Sequence, residues 1–544
     1  MTESSKKTSK PLKNRIRGHP VLNFDWDRKV LSFKYKGKNI AAYEGETIAS
    51  ALYANGGRTF SYSFKYQRPR GWFCGIGKCC SCMMRVDGEP NVRTCVTRAR
   101  EGMVVEPQKY VPFYGPIALH FFRRFSGTRI LPVGFHYRRF TRRRILRKLF
   151  YWGMQQFSGM GRYPDFVAND PVVKRKPVPI LEKSIVVVGG GPAGLEAALQ
   201  AATAGAKVTL VDENRALGGQ LIKQTHEYSR LAKNEDVKRG IDIAKEIAMS
   251  IRSHKNIEIM LESRIVGIYE GSLLGVTIGE EFDQKFVKMK ARKIIIATGA
   301  YERLLQFENN DLPGIYGVVG LQSLMNQHGI VPGQKALIIG SGDLGLIMAD
   351  QFKQAGVLVQ AIVEVPPQVG NHLVYGSTVP HLDVTRFTGY TIKKALGRNS
   401  VKGAIIHRTD ENGQEIRGTS KHIKCDIICL ATGLKPAFEL LAQAGAELQF
   451  VSKLGGHVPL RTQYLETTTS GVYAIGDVSG TEDANAARLE GRIAGISAAR
   501  AIGKSMTELD DVLSETQEKL AEIRSSPLRE RIQSALAQLK IEGD

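Results

Sequence analysis

A chain of 544 residues with 42% hydrophobic residues is long enough for about three or four domains with packed cores. Lysine and arginine outnumber aspartate and glutamate by 76 to 53, a formal charge of +23. The basic residues do not follow a nucleic-acid-binding module, so no nucleic-acid partner is expected. No apolar run reaches the ~18 residues of a transmembrane segment. Residues 1–20 are basic and lack the apolar core of a secretory signal, which predicts a flexible tail and a cytoplasmic protein.

Five of the seven cysteines fall within 22 residues, and four of them have the spacing of iron–sulfur ligands. The pattern C-x4-C-x2-C-x12-C is formed by Cys74, Cys79, Cys82 and Cys95. Four thiolates at this spacing suit a [2Fe–2S] cluster, whereas a zinc site prefers two C-x2-C pairs and disulfide frameworks belong to small secreted domains. The sequence therefore predicts a [2Fe–2S] cluster, with Cys80 as a small buried thiol outside the ligand set.

The residues before the cysteine motif predict a small β-grasp domain. Residues 31–35 and 39–42 alternate like two paired strands, and residues 47–55 follow as a helix. A last strand is expected at 92–97 or shortly after. These pieces predict a ferredoxin-like [2Fe–2S] domain over residues 21–110.

The basic residues are densest at 123–148, where arginines alternate with aromatic side chains. This mixture suits RNA or anionic lipid, and it also suits an interdomain segment whose arginines meet acidic neighbours or a partner's phosphate cofactor. We favour the second interpretation, with residues 111–183 as a basic aromatic connector. His120 and His136 are then packed or interface residues.

A dinucleotide-binding fingerprint begins at residue 184, in the strand–turn–helix context that it requires. Its glycines provide a tight turn, a close approach for the pyrophosphate at a helix N-terminus, and close helix–sheet packing. An acidic residue at the end of the second strand is placed to bind ribose hydroxyls, and Asp212 is the better candidate than Glu213. The residues predicted to bind this first nucleotide are Gly189, Gly191, Pro192, Ala193, Gly194, Asp212 and Glu213.

The same unit recurs near residue 335, and further glycine turns lie between the two units and after them. In the second unit, Glu364 at the strand end disfavours the 2′-phosphate of NADPH, so NAD is the expected ligand. The acid that follows Gly476 is placed for a ribityl hydroxyl of a flavin, and it has a compatible alternative role as a helix N-cap. The further predicted cofactor-binding residues are Gly219, Gln220, Thr298, Gly299, Gly340, Gly342, Gly345, Glu364, Gly476 and Asp477.

The fold class predicted from these elements is α/β, with an N-terminal β-grasp [2Fe–2S] domain followed by two nested Rossmann-like dinucleotide-binding domains. The first, FAD-type domain is expected at 184–310 and 425–504, and the second, NAD-type domain at 311–424. Residues 505–544 are expected to form C-terminal helices. Glu302 and Arg303 read as an ordinary surface ion pair, worth about 1 kcal/mol or less.

Residues 184–504 resemble the flavoprotein disulfide reductase fold with its two dinucleotide domains, and Gly218-Gly219-Gln220 matches that family beside its flavin. One departure is informative, because no cysteine pair follows Gly218-Gly219. Cys425 and Cys429 read as core thiols on a strand. Disulfide reduction is therefore disfavoured, and electrons are expected to leave through the iron–sulfur cluster.

Residues 63–71, 131–140 and 297–303 resemble the alpha subunit of heterotetrameric sarcosine oxidase, and the cysteine domain resembles the small [2Fe–2S] subunits of hydrogen cyanide synthase and dye-linked proline or hydroxyproline dehydrogenases. The resemblance implies an oxidoreductase: an electron-transferring subunit of an amine or amino-acid dehydrogenase complex. It implies a hetero-oligomer with an FAD-dependent beta subunit of the D-amino-acid-oxidase type. It also implies FAD or another adenine nucleotide in the first site, and FMN at a subunit interface in some members.

Two alternatives stay open at this point. The chain could be a self-sufficient NAD(P)H-dependent FAD/[2Fe–2S] reductase, with NADH bound at the second glycine turn. It could also be a nucleotide-binding scaffold with a basic surface for RNA or membrane. The sequence does not reveal the substrate or the terminal electron acceptor.

Overall fold

The computed structural model describes residues 14–63, 68–108, 143–146, 148, 177–228, 236–280, 284–366, 383–504, 507–526 and 529–541. Most of the basic segment at 123–148 lies outside the described residues, as do His120 and His136 of the predicted connector and the motif at 131–140. Within the described residues no helix has both the length and the apolar character that crossing a bilayer requires.

The named helices are α1 (Ile48–Ala54), α2 (Pro192–Thr203), α3 (Gly240–Ser253), α4 (Val318–Gln322), α5 (Asp343–Gln354), α6 (Glu439–Gln443), α7 (Ala484–Arg500), α8 (Thr507–Arg524) and α9 (Glu530–Leu536). The strands of the first half are β1 (Val30–Tyr35), β2 (Lys38–Tyr43), β3 (Ser61–Tyr62), β4 (Pro69–Arg70), β5 (Met83–Val86), β6 (Glu89–Arg93), β7 (Val104–Pro107), β8 (Ile180–Val188), β9 (Val208–Val211), β10 (Glu227–Tyr228), β11 (Lys238–Arg239), β12 (Ile257–Met260), β13 (Ser263–Tyr269) and β14 (Leu273–Ile278). Those of the second half are β15 (Lys285–Ile296), β16 (Ala300–Glu302), β17 (Ile315–Gly317), β18 (Lys335–Ile339), β19 (Leu358–Glu364), β20 (Arg386–Thr388), β21 (Tyr390–Leu396), β22 (Gly403–Arg408), β23 (Lys421–Ile423), β24 (Ile427–Leu430), β25 (Leu434–Pro436), β26 (Leu448–Val451), β27 (Gly456–Pro459) and β28 (Val472–Ala474).

The N-terminal domain is a five-stranded sheet in the order β2-β1-β7-β5-β6, with β1 and β2 as an antiparallel hairpin. Thr47 caps α1, since its hydroxyl accepts the N–H of Ser50, which satisfies one of the unpaired amides of the first turn. Of the two positions expected for the last strand, 92–97 is wrong, and the strand follows shortly after it as β7. Strand β6 ends at Arg93, and β7 lies between β1 and β5. The alternation that marks a strand is weak in β7, because it has four residues and its Val104 is 46% exposed.

The first dinucleotide domain has a seven-stranded sheet in which β12, β9, β8, β15 and β28 are parallel and β14 and β13 continue as an antiparallel extension. The strands β8 and β9 are neighbours joined through α2, so that the chain forms the β-α-β unit expected for a nucleotide fold. Residues Ile185–Val188 of β8 are buried because α2 and the rest of the core cover both faces of the sheet. The apolar residues of this strand therefore form a continuous run and do not alternate with polar ones.

The second dinucleotide domain is inserted into the first, as predicted. Its sheet has the order β17-β24-β18-β19-β20, with parallel pairing throughout. A separate antiparallel sheet of β21, β22 and β23 packs against it. Cys425 is buried before β24 and Cys429 is buried within it, in keeping with their interpretation as core thiols.

The N-terminal domain shares one hydrophobic core with the second dinucleotide domain. The indole N–H of Trp72 donates to the carbonyl of Gly320 at 2.9 Å, and the hydroxyl of Tyr53 donates to the carbonyl of Pro332 at 2.7 Å. Because these contacts join segments more than 240 residues apart, the cysteine loop has a fixed position against the nucleotide domains.

The C-terminal helices are part of the nucleotide fold and not a separate extension. Leu509, Leu513 and Leu520 of α8 belong to the core of the first dinucleotide domain, around α2 and α7. In α9, Ala535 packs with residues of β26 and β27. Helix α8 therefore packs in the core with α2 and α7, and α9 packs against β26 and β27.

Candidate redox site

Four thiols come together in the loop after β4 and at the end of β6. Cys74, Cys82 and Cys95 are buried and Cys79 is partly exposed. The thiols of Cys74 and Cys79 are in hydrogen-bonding contact, as are those of Cys82 and Cys95, and Cys95 also contacts Cys74. The four cysteines predicted as ligands are therefore the four that the fold gathers.

The donor set fits a dinuclear cluster. Backbone amides already face two of the sulfurs, since the N–H of Cys79 donates to Cys74 Sγ at 3.4 Å and the N–H of Cys95 donates to Cys82 Sγ at 3.4 Å. Hydrogen bonds between the thiols lower the pKa of Cys74 and Cys82 and raise that of their partners Cys79 and Cys95, so that one thiol of each pair is favoured as the thiolate that binds iron. Within the described residues no three His, Cys, Asp or Glu side chains form a site for a single metal ion. Four thiols in two contacting pairs instead match the Cys₄ set of a [2Fe–2S] cluster, which would supply one-electron transfer.

The loop geometry separates the ligands from Cys80. Gly75 has φ +63°, and a Cβ there would lie 2.9 Å from the Trp72 ring, so only glycine lets the loop turn against that side chain. Cys80 has φ +59° and is exposed. The expectation that Cys80 is buried is wrong, because this left-handed backbone turns its side chain away from the core, and Cys80 is left outside the ligand set.

One cavity of about 1220 Å³ joins the cysteine loop to both glycine-rich turns. It is lined by Cys74, Cys79 and Cys95, by Gly189 and Gly191 of the first turn, and by Gly342 of the second. Pro192, Ala193, Gly219, Gln220, Thr298, Gly299, Gly476 and Asp477 also line it. The structure thus brings most of the predicted cofactor-binding residues to one space beside the four thiols.

The first glycine turn has the shape that a pyrophosphate needs. Gly189 has φ +109°, and a Cβ on Gly194 would overlap the Gly189 carbonyl, so Gly194 provides helix–strand packing and is not a lining residue. Gly191 is the N-cap of α2, and Pro192 is its first residue. A Cβ on Gly191 would meet no atom closer than 4.0 Å. The space above Gly191 is therefore open to a ligand at the N-terminus of α2.

The two acids at the end of β9 have different surroundings. Asp212 is buried, accepts the N–H groups of Gly190 and Asn214, and has a pKa raised mainly by burial. Glu213 pairs with Lys78 of the cysteine loop at 3.5 Å and with Arg264 at 3.0 Å. Glu213 is therefore engaged by two cations, whereas Asp212 is engaged, among the described residues, only by neutral N–H groups of Gly190 and Asn214.

The 3-10 turn Gly476–Ser479 follows β28 and carries Asp477, the residue predicted to contact a flavin. Asp477 lines the cavity, and burial raises its pKa to about 7. The expectation that Asp477 also caps the following helix is wrong, since Asp483 is the N-cap of α7 and accepts the N–H of Ala486. The N–H of Gly476 donates to the buried carboxylate of Glu490 at 2.7 Å, which fixes the turn that carries Asp477.

The second glycine turn reaches the cavity only at its tip. Gly342 and Asp343 line the cavity together with Leu344. Glu364 accepts the N–H of Ser341 at 2.6 Å and is not among the described lining residues, nor are Gly340 and Gly345. The tip of this turn therefore borders the shared cavity, whereas Glu364 does not line it.

We expect Gly191→Ala to reduce flavin binding by about tenfold or more, equal to ~1.4 kcal/mol, with little change in the stability of the apoprotein. The added methyl group meets open space in the protein but occupies the approach of a pyrophosphate. The measurement is flavin affinity by titration, paired with urea unfolding of the apoprotein. Gly194→Ala is the comparison, and it should lower stability because its methyl group overlaps a backbone carbonyl. Unchanged flavin affinity in Gly191→Ala would contradict this prediction.

Two buried charged residues of the site were not identified from the sequence. Lys223 ends the 3-10 turn Gly219–Lys223 and is 4% exposed, and Glu302 in β16 is 7% exposed. Interpretation of Glu302 as half of a surface ion pair is therefore wrong; its carboxylate accepts the N–H of Gly320 at 3.1 Å. No local pattern marks either residue, because each becomes buried only when the second dinucleotide domain packs against the first.

Comparison with known families agrees with this architecture. A model described as pyridine nucleotide-disulphide oxidoreductase matches residues 183–503, and a model described as a 2Fe-2S iron-sulfur cluster binding domain matches residues 28–110. These matches confirm the predicted fold class and the predicted [2Fe–2S] and FAD cofactors, and they identify the chain as an oxidoreductase.

Curated relatives confirm the resemblance seen in the sequence. The alpha subunit of sarcosine oxidase from Rhizobium meliloti (strain 1021) is 32% identical over 443 residues, which cover 77% of this chain and 41% of that protein. One subunit of opine oxidase from the same strain is 27% identical over 349 residues, or 60% of this chain and 72% of that protein. The chain spans less than half the length of the sarcosine oxidase alpha subunits that it matches.

A solved structure has a similar fold at low sequence identity. The crystal structure of L-proline dehydrogenase from P. horikoshii superposes with a TM-score of 0.61 and 20% identity, covering 91% of this chain and 77% of that chain. This likeness supports the fold alone. Since the first family model spans more than half of the 544 residues, the chain belongs to the pyridine nucleotide-disulphide oxidoreductase family.

Proposed function

We propose that this protein is the electron-transferring iron–sulfur flavoprotein subunit of an amine or amino-acid dehydrogenase complex. The observation that carries the proposal is the shared cavity, in which the cysteine loop and the first dinucleotide turn line one space. The names of the relatives, sarcosine oxidase and opine oxidase, support a donor with a C–N bond: sarcosine, proline, hydroxyproline or an opine.

The cysteines decide how this family member differs from a disulfide reductase. The described structure has seven free cysteines: four form the ligand set, Cys80 is exposed, and Cys425 and Cys429 are buried in the core around β24. Burial raises the pKa of Cys425 to about 12, and buried neutral thiols of this kind are inert. The chain therefore offers the nucleotide pocket an iron–sulfur site and not a reactive dithiol.

The proposed division of labour places substrate oxidation on a separate beta subunit with its own FAD, of the D-amino-acid-oxidase type. We place an electron-relaying [2Fe–2S] domain at 21–110, the first dinucleotide domain at 184–310 and 425–504, and the second at 311–424. A bound FAD would supply the step between two-electron and one-electron transfer, and NAD or an interfacial FMN are the additional nucleotides proposed for the complex. The basic connector at 111–183 is proposed to lie between domains or at the interface with the partner.

The test is anaerobic purification of the full chain with quantification of iron, sulfide and flavin, keeping any co-purifying chain for identification. We expect a visible spectrum of [2Fe–2S] plus flavin and almost no amine oxidation by the chain alone. Addition of the beta subunit with sarcosine, proline, hydroxyproline or an opine should then bleach both chromophores. Strong amine–dye activity from the chain alone would overturn the division of labour, and a colourless preparation would overturn the proposal itself.

A second candidate function is a self-sufficient NADH-dependent reductase. It is favoured by Gly342 and Asp343, which bring the second glycine turn to the same cavity as the first. Glu364 at the end of β19 would repel a 2′-phosphate, so NADH is expected over NADPH. Rapid anaerobic mixing distinguishes the candidates, because flavin bleaching by NADH within one turnover, without any partner, supports this second function alone.

A further inference from the structure

A buried lysine lies where the cysteine loop, the first nucleotide turn and the second dinucleotide domain meet. Lys223 lines the same cavity as Cys74 and Cys95 and is 4% exposed. Its ammonium donates to Gln220 Oε1 at 3.2 Å. A buried ammonium costs several kcal/mol of desolvation unless the fold has a use for its charge or pairs it closely, so the position calls for a physical explanation.

The fold holds Lys223 rigidly through its backbone. Its carbonyl accepts the side-chain amides of Asn326 at 2.7 Å and Gln351 at 3.3 Å. Asn326 belongs to the π-helical turn Ser323–Gln327. On the other side of this turn, Ser323 packs against Gly75 of the cysteine loop, so that a Cβ on Gly75 would lie 3.1 Å from Ser323 Cβ. One helical turn thus positions Lys223 and the cysteine loop relative to each other.

The nearest carboxylate does not cancel the charge of Lys223. Glu302 lines the cavity too, but it accepts the N–H of Gly320. Burial raises the pKa of Glu302 to about 8, which makes this carboxyl a weak counter-ion. Burial lowers the pKa of Lys223 to about 8. Among the described residues no carboxylate forms an ion pair with Lys223, whose ammonium has Gln220 as its hydrogen-bond partner.

Lys78, which lies within the cysteine loop itself, is a less effective cation than Lys223. Its side chain is 49% exposed and pairs with Glu213 at 3.5 Å, so that water, salt and a carboxylate screen its charge. Lys223 acts from a buried position, where the field of a charge is screened much less.

From this arrangement we propose that Lys223 is a positioning residue for electron flow: its buried ammonium stabilises the extra negative charge of the reduced [2Fe–2S] site and thereby raises the potential of that site relative to the nucleotide pocket. The inference rests on the proposed relay function. Its chemistry is electrostatic, and no bond at Lys223 forms or breaks.

The test is a redox titration of the purified full chain, without substrate or partner, in which the midpoint potential of the cluster is followed by electron paramagnetic resonance. In Lys223→Met we expect the ratio of reduced to oxidised cluster at a fixed potential to fall at least tenfold. This change equals a fall of 59 mV in the midpoint potential of a one-electron couple. Lys223→Arg keeps the charge and should stay near the wild type. Lys293→Met, which removes a half-buried lysine paired with Glu466 in the first dinucleotide domain, is the control and should leave the potential unchanged.

Each outcome decides the inference. An unchanged potential in an iron-replete Lys223→Met protein overturns it. If Lys223→Met does not fold, Lys223→Gln, which can keep a hydrogen bond to Gln220, carries the same expected shift. If both neutral variants lose iron while Lys223→Arg retains it, Lys223 serves loop assembly and the proposal is wrong. Failure of the proposed relay function would be seen in the wild type and not in the variants. The wild-type chain would then hold both cofactors but exchange no electrons between them.

Discussion

Replacement of Cys82 by serine is expected to abolish binding of the [2Fe–2S] cluster, with iron falling from about two per chain towards zero. Cys82 is 3% exposed, its sulfur accepts the N–H of Cys95, and its carbonyl accepts the hydroxyl of Thr94 at 2.6 Å. A hydroxyl at this position is a poor donor to iron and cannot move to compensate. We expect electron transfer to an artificial acceptor to fall more than the 10–100-fold that outer-shell changes cost at metal sites.

Cys80→Ser is the matched control for the cysteine loop. Cys80 lies two residues before Cys82 in the same loop, but its side chain is exposed. The variant should keep its iron, its visible spectrum and its electron transfer. The measurements are iron and sulfide content with visible circular dichroism. If Cys80→Ser lost its iron while Cys79→Ser kept it, the assigned ligand set would be wrong.

The elements that the sequence predicts well are those whose pattern is local. The cysteine spacing, the glycine turns and the continuous apolar run of β8 can each be recognised within about 30 residues of sequence. For this reason the two nested nucleotide folds and the four clustered thiols agree with expectation. Strand β7 could be placed only loosely, at 92–97 or shortly after, because four residues with one exposed valine carry almost no periodic signal.

The features that the sequence does not predict depend on contacts between distant segments. Lys223 and Glu302 look like surface residues until the second dinucleotide domain covers them, and Gln322 meets Gln224 across 98 residues of sequence. The exposure of Cys80 follows from a single left-handed backbone angle. These groups are buried because distant segments of the chain cover them, and no spacing rule records such contacts.

The C-terminal helices show the same limitation and lead to the second large effect. Arg524 of helix α8 contacts two acids, Glu490 in α7 and Glu482 just before α7. Arg524 donates to Glu490 at 2.7 Å and to Glu482 at 2.5 Å, and Glu490 in turn accepts the N–H of Gly476. The C-terminal segment is therefore built into the support of the turn that carries Asp477.

The network also predicts the response to acid. Burial opposes ionisation of Glu490, but Arg461 and Arg524 outweigh it and lower the pKa of Glu490 well below its ordinary value. A carboxyl with a depressed folded-state pKa contributes stability that is present above the unfolded pKa of about 4.3 and is lost as the pH falls further. Flavin release measured by fluorescence should therefore set in as the pH falls below about 4.5.

Arg524→Met is expected to release the flavin and to lower the free energy of unfolding by about 3–5 kcal/mol. The substitution leaves Glu490, whose side chain is 3% exposed, and Glu482, at 6% exposed, without this buried cation. Arg461 stays beside Glu490 and Arg529 beside Glu482, but two buried acids then share fewer cations, and breaking a buried ion pair costs about 3–5 kcal/mol. The measurements are flavin retention on gel filtration and urea unfolding of the full chain.

Arg500→Met provides the control on the neighbouring helix α7. Arg500 pairs with Asp510, but both side chains are more than 40% exposed, so the pair contributes only about 0–1 kcal/mol. This variant should retain its flavin and unfold like the wild type. If Arg524→Met behaved in the same way as Arg500→Met, the C-terminal helices would not support the flavin site, and the Gly476–Asp477 turn would be held by Arg461 and Glu490 alone. The contrast between two arginines that differ mainly in burial therefore tests whether buried charge or mere helix packing joins the C-terminal segment to the site.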